Sequence, residues 1–449
     1  MNRVLISVIA ISLLVSCKKV REKNDNDESV VSIENSVKEP ELITVKDGQF
    51  FKGDKPYYYV GTNYWYGSLL GSKSVGDRDR LIKELDLLKS NGIDNLRILV
   101  GADGGGNDYT VRPALQYEQG KYDESLLEGL DFLMAEMRKR EMYAVLYMNN
   151  NWEWSGGISQ YLEWNGYGKV PIPNLPQYTW PQYMTYAEQF HSCEPCVEAF
   201  ENHVKFIMGR TNSINGIKYT EDNTVMSWQV ANEPRVLSEK HEPIFTKWLN
   251  ETVDLMESLD STHLISTGGE GAAGFLWSEA IYERTHQNKN IDYLTMHMWP
   301  FNWGWYSPEG EKGKTLNDAI LKAKEYINSH VSLAEKSKRP IVMSEFGLPR
   351  EGESLSPDSS TKNRDEFYSS VFSLLIDSHA NKGALGGYNF WGFGGYGKSA
   401  NHPNGKWEPG DEFTADPPQE PQGFNTVFAS DISTLEMIKG YNEKVGNLK

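Results

Sequence analysis

The stretch from Val225 to Arg235, VMSWQVANEPR, decides both the fold and the position of the chemistry. Its first half is an almost continuous apolar run, which is typical of a strand buried on both faces of a parallel sheet. Pro234 has no N–H for a sheet ladder and restricts the residue before it, so we expect the strand to stop at Glu233. A second run, Pro340 to Gly347 (PIVMSEFG), ends in the same way at Glu345. Either glutamate alone could be an ordinary strand end, but two of the same design predict a paired site.

Strand patterns alternate with helical patterns along the rest of the chain. This alternation, with no repeat and no linker, predicts an α/β fold of the (β/α)8 TIM barrel type rather than an open doubly wound sheet. No GxGxxG turn follows the first strand, which disfavours dinucleotide binding. The eight predicted strands are Tyr57–Trp65, Asn95–Val100, Tyr143–Met148, Val225–Glu233, Leu264–Thr267, Ile291–Trp299, Pro340–Phe346 and Ala384–Phe393.

Segments between the strands add three expectations. Ile43 to Phe51 and Lys55 to Val60 flank a Lys-Gly-Asp turn, and they predict a hairpin that closes the bottom of the barrel. The crossover after the fifth strand has the weakest helical pattern. Two long connections, Asn149 to Ser192 and Gly394 to about Ser430, are rich in tryptophan, so we expect them to be ordered and to wall a cleft.

Composition narrows the class of ligand. With 62 acidic and 45 basic residues the formal charge is −17, which repels nucleic acid and other anionic polymers. The chain has 13 Trp and 24 Tyr, more than a core of this size requires. A neutral, ring-shaped ligand that stacks on aromatic faces would use this surplus.

The first seventeen residues predict a targeting segment outside the fold. Arg3 supplies a positive start, Val4 to Val15 is apolar but too short to span a bilayer, and the run LVSC ends at Cys17. This ending resembles a bacterial lipobox, in which Cys17 becomes the lipidated first residue; an uncleaved anchor and ordinary secretion are the alternatives. Residues 18–41 are polar and predict a disordered tether, and residues 42–449 predict the catalytic domain.

Polar and aromatic residues cluster where the predicted strands end. Arg97 follows Leu96 near the end of the second strand, His297 and Trp299 close the sixth, and Trp391 closes the eighth. Because the carboxyl ends of barrel strands share one rim, these residues should meet the two glutamates. Two carboxylates flanking a sugar-to-sugar bond are what glycoside hydrolysis needs.

The chain resembles glycoside hydrolase family 5, and more narrowly its β-mannanases of the plant and fungal type. The resemblance covers nearly the whole mature chain in order. NEP alone is shared among many barrel glycosidases, whereas the NNW, YTEDNTVMSW and WPFNW segments are narrower. The matching segments are GTNYW from Gly61, LRI from Leu96, NNNWEWSGG from Asn149, YLEWNG from Tyr161, GIKYTEDNTVMSWQVANEPR from Gly216, HMWPFNWGW from His297, SEFG from Ser344 and EPQGFNTVF from Glu420.

The resemblance implies a role for each matching residue. Glu233 would be the acid/base and Glu345 the nucleophile of a retaining double displacement. Arg97 and His297 would order the carboxylates, Trp391 would lie beneath the bond-cleaving subsite, and Arg235 would lie on the leaving-group side. Where many family members have Tyr two residues after the His, this chain has Trp299, which has no hydroxyl to give the nucleophile. The substrate-contacting residues implied are Arg97, Asn232, Arg235, His297, Trp299, Trp391, Trp65, Trp152 and Trp303.

Other motifs are read as structural or are lacking. The nine histidines show no HExxH spacing, so we expect no metal and no cofactor. Cys193 and Cys196 open a helix inside a barrel crossover, and in an exported chain they predict a structural disulfide rather than a redox centre. No GxSxG elbow is present for acyl hydrolysis.

Two classes of function are consistent with these residues. The first is an enzyme that cleaves β-1,4-mannosidic bonds in mannan, glucomannan or galactomannan. A β-1,4-glucanase on the same scaffold is the alternative within this class. The second is a catalytically inactive barrel that binds glycan as a lipoprotein, although a binding module has no need for the glutamate pair. We expect an exported monomer, either secreted or attached to the outer membrane through its lipid alone, with mannan or manno-oligosaccharides as its substrate.

Overall fold

Eight parallel strands form one sheet at the centre of the computed structural model, which describes residues 39–400, 402 and 405–447. In chain order the strands are β1 Tyr59–Asn63, β2 Asn95–Leu99, β3 Tyr143–Tyr147, β4 Val225–Gln229, β5 Leu264–Ser266, β6 Leu294–Met298, β7 Ile341–Phe346 and β8 Leu385–Phe390. Their hydrogen-bonded order is β5-β4-β3-β2-β1-β8-β7-β6, so the sheet curls almost into a closed cylinder, and the predicted barrel is confirmed.

One main helix follows each strand, and some loops contain further short helices. The side chains of Asp77 and Asp123 cap α1 (Arg78–Ser90) and α2 (Glu124–Lys139), because they accept hydrogen bonds from N–H groups in the first turns of these helices. The weakly patterned fifth crossover contains only the short α5, and the C-terminal α8 was not predicted. The helices are α1 Arg78–Ser90, α2 Glu124–Lys139, α3 Glu194–Met208, α4 Glu242–Leu259, α5 Glu279–Thr285, α6 Leu316–Ser337, α7 Lys362–Asn381 and α8 Ile432–Asn447.

The bottom of the barrel is closed by a three-stranded antiparallel sheet rather than the two-armed hairpin predicted. The strands Ile43–Lys46, Gln49–Lys52 and Lys55–Pro56 pair in that order. The predicted first arm is interrupted because Asp47 and Gly48 both adopt positive φ, of 51° and 78°, and make an additional turn. Phe50 packs edge-on against Tyr293 with ring centroids 5.3 Å apart, so this sheet covers the lower core as expected.

Strands β5 and β6 meet at the seam of the barrel without a regular ladder. Asp292 N–H donates to the Ile265 carbonyl at 2.9 Å, and the Asp292 carboxylate accepts from Ile265 N–H at 2.7 Å. Further up, His297 N–H donates to the Glu270 carbonyl at 3.1 Å. The seam is therefore joined by separate hydrogen bonds and reaches up to the rim where the chemistry was predicted.

The long connections contain short elements that the sequence pattern did not reveal. Helices Gly157–Trp164 and Trp180–Ala187 lie in the loop after β3, and Gly67–Gly71 follows β1. Small pairs of strands, Gln116–Glu118 with Lys121–Tyr122 and Phe393–Gly395 with Val427–Phe428, stiffen the loops after β2 and β8. Short 3-10 turns complete the loops at Glu153–Ser155, Glu188–Ser192, Tyr219–Glu221, Gly271–Gly274 and Glu351–Glu353.

The predicted signal segment with Cys17, and the predicted tether as far as residue 38, lie outside the described residues. Residues 39–41 contact the barrel, since Arg138 pairs with Glu39 at 2.9 Å and the Glu41 carbonyl accepts from the Tyr143 hydroxyl at 2.8 Å. The described residues, 39–400, 402 and 405–447, belong to one compact unit. Within residues 39–400, 402 and 405–447 no helix combines the length and apolar character required to cross a bilayer.

Candidate active site

Glu233 lies just beyond β4, in backbone that departs from the regular strand. The strand ends at Gln229 rather than at Glu233, but hydrogen bonds to both neighbours continue. Asn232 N–H donates to the Asn149 carbonyl at 2.7 Å, and Glu233 N–H donates to the Gly268 carbonyl at 3.0 Å. Glu233 itself adopts φ of 53°, a left-handed conformation that is uncommon for residues other than glycine. The bend aims the carboxyl group across the rim.

Glu345 lies within β7, opposite His297 of β6. The pairing of these strands shifts between Met296 and His297, where a bulge interrupts the parallel register. Bulges re-aim side chains at barrel rims, and this one directs the His297 ring toward both glutamates. Its Nδ1 lies 2.7 Å from a carboxyl oxygen of Glu233 and 3.8 Å from one of Glu345.

The two predicted catalytic carboxyl groups are close neighbours. One oxygen of Glu233, one oxygen of Glu345 and a ring nitrogen of His297 all lie within 4.8 Å of one another. Carboxyl groups about 5 to 5.5 Å apart are typical of retaining glycosidases, whereas inverting enzymes need roughly 6.5 to 9.5 Å for a water molecule. The spacing therefore favours direct attack by one carboxylate.

Glu345 receives one donor on each oxygen. The Arg97 guanidinium contacts Oε2 at 3.0 Å, and the Trp299 indole N–H donates to Oε1 at 3.2 Å. The indole thus supplies an N–H where the family's usual Tyr would supply a hydroxyl. Gly347 allows this packing, because a Cβ there would come within 2.9 Å of the Trp299 ring.

Arg97 is held in place by a buried polar network. Its side chain is fully buried and also donates to Gln229 at 2.9 Å, Asn63 at 3.1 Å and Asn232 at 2.8 Å. The guanidinium lies over the Tyr147 ring at 4.5 Å. Arg97 and His297 were predicted both to order the carboxylates and to contact substrate. Their contacts with Glu345 and Glu233 agree with the ordering role, and neither residue lines the cavity.

Glu233 contacts two groups that accommodate either protonation state. His297 Nδ1 lies 2.7 Å from Oε1, and the Trp152 indole N–H donates to Oε2. Burial lowers the pKa of His297 to about 4, so the ring is neutral near pH 7. Its Nε2 faces the Ser344 hydroxyl at 2.9 Å, which donates or accepts as required. Neutral His297 can therefore accept a proton in a hydrogen bond from protonated Glu233 or donate one to the ionised form.

The two carboxyl groups titrate as a coupled pair. Burial, and then the charge of the neighbouring Glu233 carboxylate, raises the pKa of Glu345, so the doubly ionised state is disfavoured and the pair retains one proton. Arg97, a permanent cation in contact with Glu345, favours the charge on that residue. The other nearby cation, Arg235, is already paired with Glu270. Despite burial, the contacts of Glu233 with His297, Arg235 and Trp152 lower its pKa, so these shifts alone would leave the shared proton on Glu345. The contact of Arg97 with Glu345 opposes that distribution. The acid role that the family resemblance implies for Glu233 requires the proton to lie on Glu233.

A cavity of about 360 Å³ opens above the pair. Trp391 forms part of it, and packs edge-on against Trp299 at 6.0 Å and Trp154 at 6.4 Å. Among the described residues the buried indole N–H of Trp391 has no hydrogen-bond partner. The predicted residues that line the cavity are Glu233, Glu345, Asn232, Arg235, Trp152, Trp299, Trp303 and Trp391.

Trp65 lies behind the cavity wall rather than in it. Its ring packs edge-on against Trp154 at 5.3 Å, and its indole N–H donates to the Ala415 carbonyl at 2.7 Å. Trp154, which was not singled out, forms the surface that we expected of Trp65. Trp65 therefore supports the wall and ties it to the loop after β8.

Comparison with known proteins identifies the family. The model for the family described as GH family 5 beta-mannosidase-like matches residues 40–449. The chain belongs to this family. It is 26% identical over 360 residues to the putative mannan endo-1,4-beta-mannosidase 4 of Arabidopsis thaliana, covering 76% of this chain and 81% of the relative.

A solved structure of the same glycoside hydrolase family is more similar still. The family 5 mannosidase of Rhizomucor miehei superposes with a TM-score of 0.82 at 32% identity, covering 90% of this chain and 97% of that one. A variant of the same enzyme with one glutamate replaced by alanine, at 31% identity, the same TM-score and the same coverage, was solved in complex with mannosyl-fructose. The protein is therefore a glycoside hydrolase, and the retaining geometry of its carboxyl pair agrees with this family.

Several side chains of this β-mannosidase-like site were not found from the sequence. Glu270 follows β5 and forms an ion pair with Arg235, which lies 4.5 Å over the Trp152 ring. Asn302 and Glu420 also line the cavity. Burial, followed by the charges of Asp416, Glu233 and Glu153, raises the pKa of Glu420 to about 8, so this carboxyl group is neutral near pH 7 and can donate a hydrogen bond.

Two loops of the β-mannosidase-like barrel join beside the cavity. Asn174, in the loop after β3, donates to the Gln419 carbonyl, in the loop after β8, at 3.0 Å, and both residues line the cavity. Strands β1 and β2 lie between β3 and β8 in the sheet, so the joined loops enclose the cavity on that side. Arg235, Glu270 and Trp303 lie toward β4, β5 and β6.

The two cysteines form the predicted disulfide. Cys193 and Cys196 have Cα atoms 5.2 Å apart and lie at the start of α3, with Cys193 in the N-cap position. Both are buried, and Cys196 Sγ lies 3.5 Å from the Tyr161 carbonyl in the loop after β3. The bond therefore belongs to the support of a cavity wall rather than to the reacting groups.

Proposed function

We propose that the protein hydrolyses β-1,4-mannosidic bonds with retention of configuration at the anomeric carbon. The observation that carries the proposal is the buried pair of Glu233 and Glu345, within 4.8 Å of each other in a tryptophan-lined cavity. The Arabidopsis relative is named as a mannan endo-1,4-beta-mannosidase and the Rhizomucor structure as a mannosidase, which supports a mannoside substrate.

The residues divide the reaction into two displacements. Glu233 transfers its proton to the leaving glycosidic oxygen while a Glu345 carboxylate oxygen attacks the anomeric carbon, which breaks the C–O bond and forms a glycosyl ester. Glu233, now ionised, takes a proton from water as the water oxygen attacks the same carbon and releases Glu345. Arg97 and Trp299 hold the nucleophile by hydrogen bonds. His297 accepts a hydrogen bond from protonated Glu233 and donates one to ionised Glu233.

The shape of the cavity favours cleavage near a chain end. The mannose unit attached to Glu345 would lie over Trp391, on the side enclosed by the Asn174–Gln419 contact. The leaving group would point toward Arg235 and Trp303, where the wall is not closed by this contact. We therefore propose that mannose or very short oligosaccharides leave from the enclosed side.

Parallel digestion of mannohexaose and cellohexaose, with product sizing over time, tests the proposal. We expect turnover of mannohexaose with mannose or mannobiose among the first products, and a retained anomeric configuration in the first-formed sugar. Faster turnover of cellohexaose would indicate a β-1,4-glucanase. Binding of mannohexaose without turnover of any substrate would indicate an inactive glycan-binding barrel, and either result overturns the assignment.

We also propose that the protein is an exported, monomeric lipoprotein attached to the membrane through Cys17. The support is the LVSC run after an apolar segment, and a single acyl chain would bind only marginally, so stable attachment requires the several chains of a bacterial lipoprotein. The wild type should fractionate with membranes and Cys17→Ser should be released or remain unprocessed. A wholly soluble wild type would refute the anchor. Which membrane and which face it occupies would follow from protease accessibility in intact cells.

A further inference from the structure

A tryptophan stands exposed just outside the cavity, in an unusual backbone conformation. Trp277 is 56% exposed, although tryptophan is normally well buried. Leu276 and Trp277 adopt φ of 57° and 58°, a left-handed conformation that is unfavourable for residues other than glycine. Consecutive residues held in this way are a local outlier of the kind that clusters at ligand-binding sites.

Buried neighbours hold the exposed indole in place. Phe275, immediately before the pair, is fully buried and bridges to Val236, whose N–H donates to the Gly274 carbonyl at 3.0 Å. Ser278, immediately after it, caps α5 by accepting from Ile281 N–H at 3.3 Å. The turn is therefore fixed at both ends, and it presents Trp277 rather than leaving it on a loose loop.

Trp277 continues an aromatic series that begins inside the cavity. Trp303 lines the cavity, and its ring centroid lies 4.9 Å from those of both Trp277 and Trp305. Tyr326 packs against all three rings, with centroid distances of 5.4 to 6.4 Å. Its hydroxyl donates to the Glu270 carbonyl at 2.6 Å. We call Trp303, Trp305 and Trp277 the aromatic ridge.

The ridge leaves the cavity on the side opposite the joined loops. The ridge residues lie in the loops after β5 and β6, beside the Arg235–Glu270 ion pair. The leaving group would point toward this side of the cavity. Indole rings pair an apolar face with one polar N–H, which suits the apolar face and hydroxyl edge of a pyranose. Continuity with the catalytic cavity makes a sugar chain the occupant that fits this surface.

We propose that the aromatic ridge is an outer subsite on the leaving-group side, in which Trp277 stacks on a β-linked hexose of a bound mannan chain. The inference rests on the proposed function. It assigns a different task to each end of the cavity: the enclosed side limits what is released, and the ridge holds the remainder of the chain.

Chain-length dependence tests this subsite. Asn tolerates positive φ, so Trp277→Asn removes the ring while keeping the turn. Tyr117→Ala is the matched control, because Tyr117 is 55% exposed and does not line the cavity. Relative to the wild type, the ratio of kcat/KM for mannohexaose to kcat/KM for 4-nitrophenyl β-mannoside should fall roughly tenfold in Trp277→Asn, as expected for loss of one stacking contact, and should not change in the control.

A binding measurement separates this inference from the proposed activity. In a Glu345→Ala background, calorimetry should show that Trp277→Asn weakens mannohexaose binding roughly tenfold but leaves mannobiose binding unchanged. If the wild type turned over no mannoside, the proposed function would fail while this length-dependent loss could still support the subsite. An unchanged hexaose affinity would overturn the subsite. The subsite would also be overturned if the wild type formed a concentration-dependent dimer that Trp277→Asn abolished while its kinetics on mannohexaose stayed unchanged. The ridge would then be a contact between two copies of the chain.

Discussion

Replacing Trp299 with Phe should move the acidic limb of the pH profile upward by about one unit. The substitution removes the indole N–H that donates to Glu345 Oε1 at 3.2 Å. A hydrogen bond to a charged group contributes about 1.5 to 3 kcal/mol, and the long distance places this one near the lower value. Since about 1.4 kcal/mol corresponds to one pKa unit, losing about 1.5 kcal/mol from the ionised form raises the pKa of Glu345 by about one unit.

The sign of the effect determines where activity is lost. The nucleophile must be ionised, so a raised pKa depletes the active form on the acidic side, where kcat/KM should fall roughly tenfold. On the plateau the carboxylate is already ionised and the loss should be smaller. Trp299→Tyr, which restores the residue usual in many family members, supplies a phenolic donor and should move the limb less than Trp299→Phe.

The measurement is kcat/KM against pH with 4-nitrophenyl β-mannoside, whose leaving group depends little on protonation by Glu233. Trp299 also packs edge-on against Trp391 at 6.0 Å, so either substitution changes the sugar-binding surface. That change alters the height of the profile, whereas loss of the donor alters the position of the limb. An acidic limb in Trp299→Phe that coincides with that of the wild type would show that the indole N–H does not tune Glu345.

Three further outcomes are expected. Glu233→Ala should lose most activity on mannohexaose yet retain more on an aryl mannoside, whereas Glu345→Ala should be inactive on both; near-wild-type turnover of the aryl substrate by Glu345→Ala would contradict the roles. Burial raises the pKa of Glu420 to about 8, so the wild-type KM should rise above that pH as the carboxyl group loses its proton. In Glu420→Gln the KM should rise less, as measured from initial rates between pH 6 and pH 9.5. Parallel KM profiles for the two proteins would exclude Glu420 as a hydrogen-bond donor to the substrate. Replacing Cys193 and Cys196 with Ser should lower the unfolding free energy by roughly 2 kcal/mol or less because the closed loop is short, as measured in urea, and unreduced protein should show no free thiol when unfolded.

The barrel was predictable because its strands are short apolar runs with distinct ends. The strand before Glu233 and the strand containing Glu345 both occur where the periodicity indicated, since burial on two faces leaves a continuous apolar signal. The bottom sheet was predicted less well. Its Asp47-Gly48 turn lies inside a run with strand-like composition, and the neighbouring Lys-Gly-Asp turn has an equally strong signal.

The meeting of Glu233 and Glu345 was predictable for the same reason, because parallel strand ends share one rim. The other cavity residues lacked this signal. Glu270 and Glu420 lie in irregular loops, where sequence does not reveal which side chains return to the rim. Trp65 and Trp154 are the same residue type, and both lie in segments that match the family. Only the packing of the folded chain determines that Trp154 forms the cavity surface and that Trp65 supports it.

The left-handed backbone at Glu233 implies a conflict between durability and turnover. Holding a non-glycine residue at φ of 53° costs roughly 1 to 2 kcal/mol, and the same residue places a second carboxyl group in a buried site. Glu233→Gly would remove both penalties together with the proposed acid/base. We therefore expect that inactive variant to melt at a higher temperature than the native enzyme. Selection for thermal stability and selection for catalytic activity would then oppose each other at this position.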